Sequence, residues 1–464
     1  MSFTEKFANT YKKLLPTPFT IAILLTLFTF LLALFFTKPA DTSTGAYIAD
    51  IAGYWEKGLW NDGKGGLYFA FQMMLMLVLG HIIALSKPIS FIIDKLLSPC
   101  TNTANTAFIV TFSTILVSLF NWGLGLIFGA ILARKVGEKF YKEGKALNYP
   151  LIGAAAYVGL MVWHGGISGS APIKAAEEGN LIDLVKNMEG INISALPNKV
   201  ALNETIFSAM NITVILLLLV LVPLLMFWVG KRKFTFTNLP KPIAETHTKE
   251  AQKEGAERLD HSKIFSLIIG LLILIYAFYK AVILPEYFSL DFLTPNFINL
   301  TLLGAALLLH TNIAKFLNAA NNAISGATGI LLQFPLYFGI LGIMVGSGLI
   351  GQISDAFVAI STETTFPVYS FFSAGLVNVF VPSGGGQWAV QGPIIIASAQ
   401  ELGVSYPKAI MALAYGDQLT NMIQPFWALP LLGITGLKAK DILPYTLLLF
   451  LAGAVVFLTG LLLF

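Results

Sequence analysis

Stretches without Asp, Glu, Lys or Arg recur along the chain, at residues 14–37, 65–86, 96–133, 146–173, 205–230, 292–314, 316–354, 364–400 and 442–464. Each exceeds the roughly 20 residues that one helix needs to cross a bilayer, so each predicts membrane-embedded helix. Two further spans carry one charge apiece. In 264–284, Lys280 sits near an end and can snorkel, and 409–437 holds Asp417. An acidic loop at 174–204 and a charged linker at 231–263 interrupt the pattern.

Two of the long runs have helix breakers at their centres. In 364–400, Gly384, Gly385 and Gly386 each weaken a helix by about 1 kcal/mol relative to Ala, and Pro382 weakens it more. The spacing predicts two arms, 366–381 and 387–400, joined by a non-helical tip. In 96–133 the corresponding tip is Asn121-Trp122-Gly123-Leu124-Gly125. Unpaired backbone groups in lipid cost several kcal/mol each, so such tips must be surrounded by protein or by a watery cavity. The fold class read from this pattern is an all-α polytopic membrane protein.

Composition agrees. Of 464 residues, 56% are hydrophobic and 12% charged, against about 25% charged in soluble domains, and the mean hydropathy is +0.75. A net charge of +4 gives no pointer to nucleic acid. Cys100 is the single cysteine, which excludes an intrachain disulfide and a cysteine-based metal cluster. The first apolar run is longer than the apolar core of a signal peptide and is read as a permanent span.

Charge placement orients the chain. The N-terminus, Lys87 with Lys95, residues 134–145, the linker, Lys315, and Lys438 with Lys440 can share one side, which then holds 21 of 29 basic and 10 acidic residues. The other side holds 8 basic and 14 acidic residues, with Asp417 on neither. The basic side is cytoplasmic by the positive-inside rule. This balance requires 96–133 to return to the inside and 364–400 to the outside, as hairpins. Nine spans and two hairpins result, and the arms are short enough that re-entrant and fully crossing hairpins both stay open.

Counted in this way, the halves have one order and opposite topology. Residues 1–230 form a first repeat, with hairpin 96–133 and interrupted helix 146–173. Residues 231–263 are a cytoplasmic linker. Residues 264–464 form a second repeat with one extra helix, hairpin 364–400 and interrupted helix 409–437. At an offset of about 258, Tyr149-Pro150 answers Tyr406-Pro407, AAAY at 154–157 answers ALAY at 412–415, and Pro172 answers Pro430. Inverted repeats with discontinuous helices are the architecture of secondary transporters, with substrate held near the midplane.

The candidate chemistry lies at the breaks. Ser383, Gly384, Gly385, Gly386 and Gln387 offer close-approach backbone and the start of a helix, which suits a small anion; tight packing is the bland alternative. Asp417 is the one carboxylate inside a span, where it costs at least about 2.5 to 3.5 kcal/mol and needs a partner, a cavity or a proton. With Thr420 and Asn421 it reads as an ion-coupling site, carrying a proton or binding sodium, or else as a polar clamp with Tyr415 or His164. In WHGGISGSAP, 163–172, the glycines predict the unwound midpoint of the first interrupted helix, with His164, Gly165, Gly166, Ser168 and Ser170 as candidates. His164 could bind an anion or relay a proton, or only hydrogen-bond a carbonyl. Trp122, Trp388 and Trp427 gather at the same breaks and would suit a short aliphatic tail, or packing alone.

The stretches VPSGGGQWAVQGPI (381–394) and WHGGISGS (163–170) resemble those of the bacterial short-chain fatty acid transporter family, and the resemblance extends over the whole chain, including the central linker. It implies uptake of acetoacetate- or butyrate-like acids, paired hairpins with broken helices, and a multi-pass protein of the bacterial cytoplasmic (inner) membrane. A small monocarboxylate would meet the 383–387 tip and the other tip, at Asn121, Trp122, Gly123 and Gly125, with its methylenes against Trp122, Trp388 or Trp427. No cofactor or metal is expected beyond a coupling ion, H+ or Na+. The expected partners are the substrate and the lipid bilayer, with no nucleic acid, and a homodimer is compatible with repeats that need a static partner surface. An ion antiporter or a dicarboxylate carrier is the alternative on the same scaffold. A dicarboxylate should require an extra cation near the tips, yet no Lys or Arg lies between Lys95 and Arg134 or between Glu363 and Glu401. An intramembrane enzyme is less favoured, because HExxH, G-x-S-x-G and P-loop motifs are absent from the sequence.

Overall fold

The computed structural model describes residues 18–60, 66–186, 188, 191–232, 239–241, 255–285, 292–380, 384–424 and 427–464. All regular secondary structure among them is helical. The chain opens with α1 (Pro18–Phe36), α2 (Thr44–Leu59) and α3 (Gly66–Ala84), and a 61° bend follows into α4 (Lys87–Leu97). A hairpin of α5 (Thr103–Phe120) and α6 (Trp122–Lys142) comes next. One residue makes its turn. Asn121 is extended (φ −150°, ψ 123°), ends α5 and accepts the Leu124 N–H at 2.8 Å, so it caps α6.

The following segment, Tyr149–Ala175, is a broken helix. It comprises α7 (Tyr149–Tyr157), 3-10 turns at Val158–Met161 and Trp163–Gly165, an extended Gly166, and α8 (Ser170–Ala175). It is 94% buried, against 28% for Ala209–Gly230 and 17% for Lys263–Ile283. Irregular backbone is tolerated at membrane depth only when protein surrounds it, so the broken element is central and the two more continuous, largely apolar ones face outward. After α9 (Asn180–Val185) come α10 (Ala209–Gly230) and α11 (Lys263–Phe278). The second half continues with α12 (Pro295–His310), α13 (Ile313–Ala323), α14 (Thr328–Gly346) and α15 (Leu349–Ile360). It closes with α16 (Phe366–Phe380), α17 (Gly384–Leu402), α18 (Tyr406–Thr420), α19 (Ala428–Thr435) and α20 (Ala439–Leu463).

Three boundaries differ from the sequence expectation. The tip read as 121–125 is helical from Trp122 onward and only Asn121 stands outside helix, because its side chain caps α6. The run 316–354, read as one span, is divided among α13, α14 and α15. Asn318, Asn321 and Asn322 make its start polar, and Gly348, at φ 76°, ends α14 in a conformation that glycine adopts most easily. The second arm of the 364–400 hairpin begins at Gly384 rather than Gln387. The glycine penalty belongs to helix interiors, and first-turn amides have no intrahelical partner to lose. Of that predicted tip, 381–383 lie outside the described residues.

By length and composition, five described helices could each cross a membrane, six if the bent α3–α4 pair counts as one. Close helix packing rests on small residues, since lipid tails give no hydrophobic drive between helices. Between α2 and α14, a Cβ on Gly342 would fall 2.8 Å from Gly58 Cα.

Candidate functional site

Each hairpin is bonded to a broken helix. In the first half, Ile167 N–H donates to Leu119 O at the end of α5 (2.8 Å), and Trp122 N–H donates to Ser168 Oγ (3.0 Å). In the second, Asn378 of α16 donates through Nδ2 to Asp417 O (2.7 Å), Thr420 Oγ1 (2.9 Å) and Asn421 Oδ1 (3.2 Å). The two breaks are then tied to each other. Gln418 Oε1 accepts both the His164 and Gly165 N–H groups (2.8 and 3.1 Å), and Asn421 Nδ2 donates to Leu160 O (3.2 Å). These are the backbone groups that an unwound helix leaves without intrahelical partners.

At the crossing, His164 Nδ1 and Asp417 Oδ2 are 2.5 Å apart, with both side chains buried. The proton arrangement follows from the other ring nitrogen. Ala171 N–H, at the start of α8, donates to His164 Nε2 (2.9 Å), so Nε2 bears a lone pair. The ring proton is therefore on Nδ1 and is donated to Asp417. Asp417 Oδ1 is buried and has no hydrogen-bond partner among the described residues. A neutral imidazole against a carboxylate leaves one negative charge and one free acceptor oxygen in the interior, an arrangement that a proton or a cation on Oδ1 would complete.

Beside this pair is a cavity of about 20 Å³, room for about one water. It is lined from both hairpins and both breaks: Trp122; Gly384 and Gly385; Leu160, Trp163 and Ser170; Asn421 and Trp427; with Met73 and Phe334 from α3 and α14. The Trp122 ring lies 5.8 Å from Trp163 and 5.2 Å, edge to face, from Trp427. Trp163 stacks on the His164 ring at 4.5 Å. The α17 backbone enters closely at Gly384, where a Cβ would fall 2.6 Å from Trp163 and 2.7 Å from His164 Cε1. Only glycine admits that approach. The first-turn amides of α17 carry partial positive charge toward the cavity.

Polar atoms without partners divide by type. Trp122 Nε1, Trp163 Nε1 and Asn121 Nδ2 are buried donors with no acceptor among the described residues. Asp417 Oδ1, Asn378 Oδ1 and Gln387 Oε1 are buried acceptors with no donor among the described residues. Buried polar groups are ordinarily paired. Indole donors on rings that line the cavity suit an anion, and the free Asp417 oxygen suits a proton or a cation.

The predicted residues are not all at the cavity. Trp122, Ser170, Gly384, Gly385 and Asn421 line it, and His164, Asp417 and Thr420 adjoin it. Asn121 and Ser168 build the first tip. Gly123 and Gly125 pack α6 against Leu77 and Ser118, and Gly166 packs against Leu119. Gly165 is held by Asn211, whose Nδ2 donates to its carbonyl (2.9 Å). Gln387 fastens the second hairpin, donating to Ala374 O and Gln391 Oε1, both at 2.9 Å, while Gly386 lies buried in the first turn of α17. Trp388 stands apart from the other indoles, its Nε1 donating to Asn180 Oδ1 (3.2 Å), and Trp163 takes its place in the cluster. Ser383 lies outside the described residues. Sequence reasoning misses Asn378 and Asn211; the available signal is an amide within a charge-free run, alone in 205–230 for Asn211 and one of four in 364–400 for Asn378.

Residues 2–464 match the family described as short chain fatty acid transporter. A protein of Escherichia coli (strain K12) named for short-chain fatty acid transport is 37% identical over 469 residues, covering 100% of this chain and 98% of that one. A Haemophilus influenzae protein named in the same way is 35% identical over 470 residues, at 99% of each chain. Among solved structures, the YdaH transporter of Alcanivorax borkumensis is similar at a TM-score of 0.54 and 16% identity, covering 97% of both chains. MtrF of Neisseria gonorrhoeae, placed in a class of antimetabolite efflux pumps, is similar at 0.53 and 14%, covering 96% of this chain and 95% of that one. At such identities the likeness is one of fold.

Proposed function

This chain belongs to the short-chain fatty acid transporter family, and on that premise we propose that it is a secondary carrier of small monocarboxylates such as butyrate or acetoacetate, coupled to H+ or Na+ through Asp417. It is a transporter, not an enzyme. The observation that carries the substrate reading is the cavity where both hairpins and both broken helices meet, lined by Trp122 and Trp163, whose indole N–H groups lack an acceptor among the described residues, and by no Lys or Arg among those residues. A carboxylate would accept from Trp122, Trp163 and the α17 amides, and its few methylenes would lie against the Trp122, Trp163 and Trp427 rings. A second carboxylate would find no cation there, which favours a monocarboxylate over a dicarboxylate.

The cavity holds about one water, so the acid enters only when a hairpin withdraws. Gly384 rests on Trp163 and His164, and His164 is bonded to Asp417. Movement of the second hairpin and occupancy of Asp417 Oδ1 therefore act through the same side chains, and that linkage is our basis for coupling. The inverted repeat of residues 1–230 and 264–464 supplies two hairpins that alternately open to either side of a bacterial inner membrane, and a homodimer would provide a static surface for that motion.

Counterflow tests the reading. In proteoliposomes, internal unlabelled butyrate should accelerate entry of labelled butyrate, and C2 to C6 monocarboxylates should compete better than succinate. Equal entry rates with and without internal butyrate would contradict a carrier.

A further inference from the structure

A second cavity, of about 630 Å³, lies at the basic end of the molecule, remote from the tryptophan cavity. It is walled by 101–105 at the start of α5, by Phe140 in the last turn of α6 with Lys145 and Ala146 beyond it, and by Phe227, Gly230, Lys231 and Arg232 at the end of α10. Its walls are held close. A Cβ on Gly230 would fall 2.7 Å from Ala104 Cα, so the end of α10 presses on the start of α5.

Three cations line this cavity. Lys145 is paired with Glu143 at 2.8 Å. That hydrogen bond holds the Glu143 carboxyl below the usual carboxylate range, so Glu143 offsets much of the Lys145 charge. Lys231 and Arg232 have no carboxylate partner among the described residues. They are held instead on aromatic rings, Lys231 Nζ 4.5 Å from the Phe227 centroid and Arg232 Cζ 3.9 Å from the Trp228 centroid.

The same helix supplies an apolar track that ends at these cations. Ile212, Leu216, Val220, Leu224 and Trp228 are all exposed. They recur every four residues and so form one row along α10, and Arg232 is the next position of that row. An indole at the end of a lipid-facing row marks the membrane–water interface. Basic pockets between helices on the cytoplasmic side suit anionic head groups, and the positive-inside arrangement puts this end of the molecule there.

We propose that the cavity seats the phosphate of an anionic phospholipid between Lys231, Arg232 and Lys145, with an acyl chain lying along the α10 row. The charge complements an anionic head group, and the row supplies the apolar surface that a soluble phosphate ester would leave unused. The site is distinct from the substrate cavity and does not depend on which acid is carried.

Tryptophan quenching by brominated lipids tests it on the full chain in phosphatidylcholine nanodiscs. The Trp228 signal is the difference between wild type and Trp228→Phe, a change that keeps an aromatic face for Arg232. Each free cation is expected to favour the anionic lipid by about fivefold. Brominated phosphatidylglycerol should therefore reach half-maximal quenching at a mole fraction at least about fivefold lower than brominated phosphatidylcholine. The Lys231→Gln, Arg232→Gln double variant should lose that preference, and Lys231→Arg with Arg232→Lys should keep it. Both side chains are exposed, and thermal unfolding of each variant in phosphatidylcholine checks that the fold is unchanged. Equal half-quenching fractions for the two lipids in wild type, or a preference that survives in the Gln variant, would overturn the assignment.

Discussion

His164 Nδ1 stands 2.5 Å from Asp417 Oδ2, joining the break of the first interrupted helix to the end of α18 across the two halves of the chain. Because Ala171 N–H occupies Nε2 (2.9 Å), this histidine also fixes the start of α8. One imidazole thus holds three elements, and Asp417 retains a free oxygen.

Removing the imidazole strands two buried groups at once. His164→Ala should lower stability by about 3 to 5 kcal/mol, the cost of breaking a buried pair from one side, read as a fall in unfolding temperature in detergent. His164→Gln, which can accept from Ala171 and donate toward Asp417, should recover part of the loss. A wild-type unfolding temperature for His164→Ala would mean that the pair does not hold the breaks together.

The close approach of α17 makes a sharper test of the site. Gly384→Ala places a Cβ 2.6 Å from Trp163 and 2.7 Å from His164, so the hairpin must shift. Butyrate transport should fall at least tenfold. Gly433→Ala is the matched control, since nothing lies within 4 Å of its Cβ, and it should transport like wild type. Equal transport by the two variants would separate the tip from the substrate site.

The unpaired indole donors predict a selective defect. Trp122→Phe and Trp163→Phe keep a ring in place and remove one N–H each. A hydrogen bond to a charged group contributes about 1.5 to 3 kcal/mol, so KM for butyrate should rise by roughly ten- to a hundredfold, with protein yield and monodispersity retained. Trp388→Phe should leave KM unchanged, because its N–H is given to Asn180.

Much of this was legible in the sequence, and the remainder has physical reasons for being hidden. Charge-free runs betray helices because lipid excludes charge, and Asp417 stood out for the same reason. Glycines marked the break at 163–172, whereas the triplet 384–386, read as a non-helical tip, is the first turn of α17. His164 is one of two partners that the sequence offers Asp417, the other being Tyr415; that the partner is His164, that Tyr415 donates to Asn211 instead, and that Gln418 serves the 164–165 backbone depend on two segments some 250 residues apart meeting through their unwound ends. Asn378 reads as an unremarkable amide until its Nδ2 is seen serving three oxygens. Trp388 was grouped with Trp122 and Trp427 by its nearness to the tip, but four residues into α17 its side chain turns away toward Asn180.

Asp417 is the residue that would link an ion to a carboxylic acid, and Asp417→Asn tests that link directly. In proteoliposomes with an imposed inward proton gradient, and separately a sodium gradient, wild type should concentrate labelled butyrate above its external level with one of the two ions. The variant should lose that accumulation while keeping counterflow. Accumulation by Asp417→Asn equal to wild type, or loss of counterflow and accumulation in parallel from a folded variant, would contradict the account.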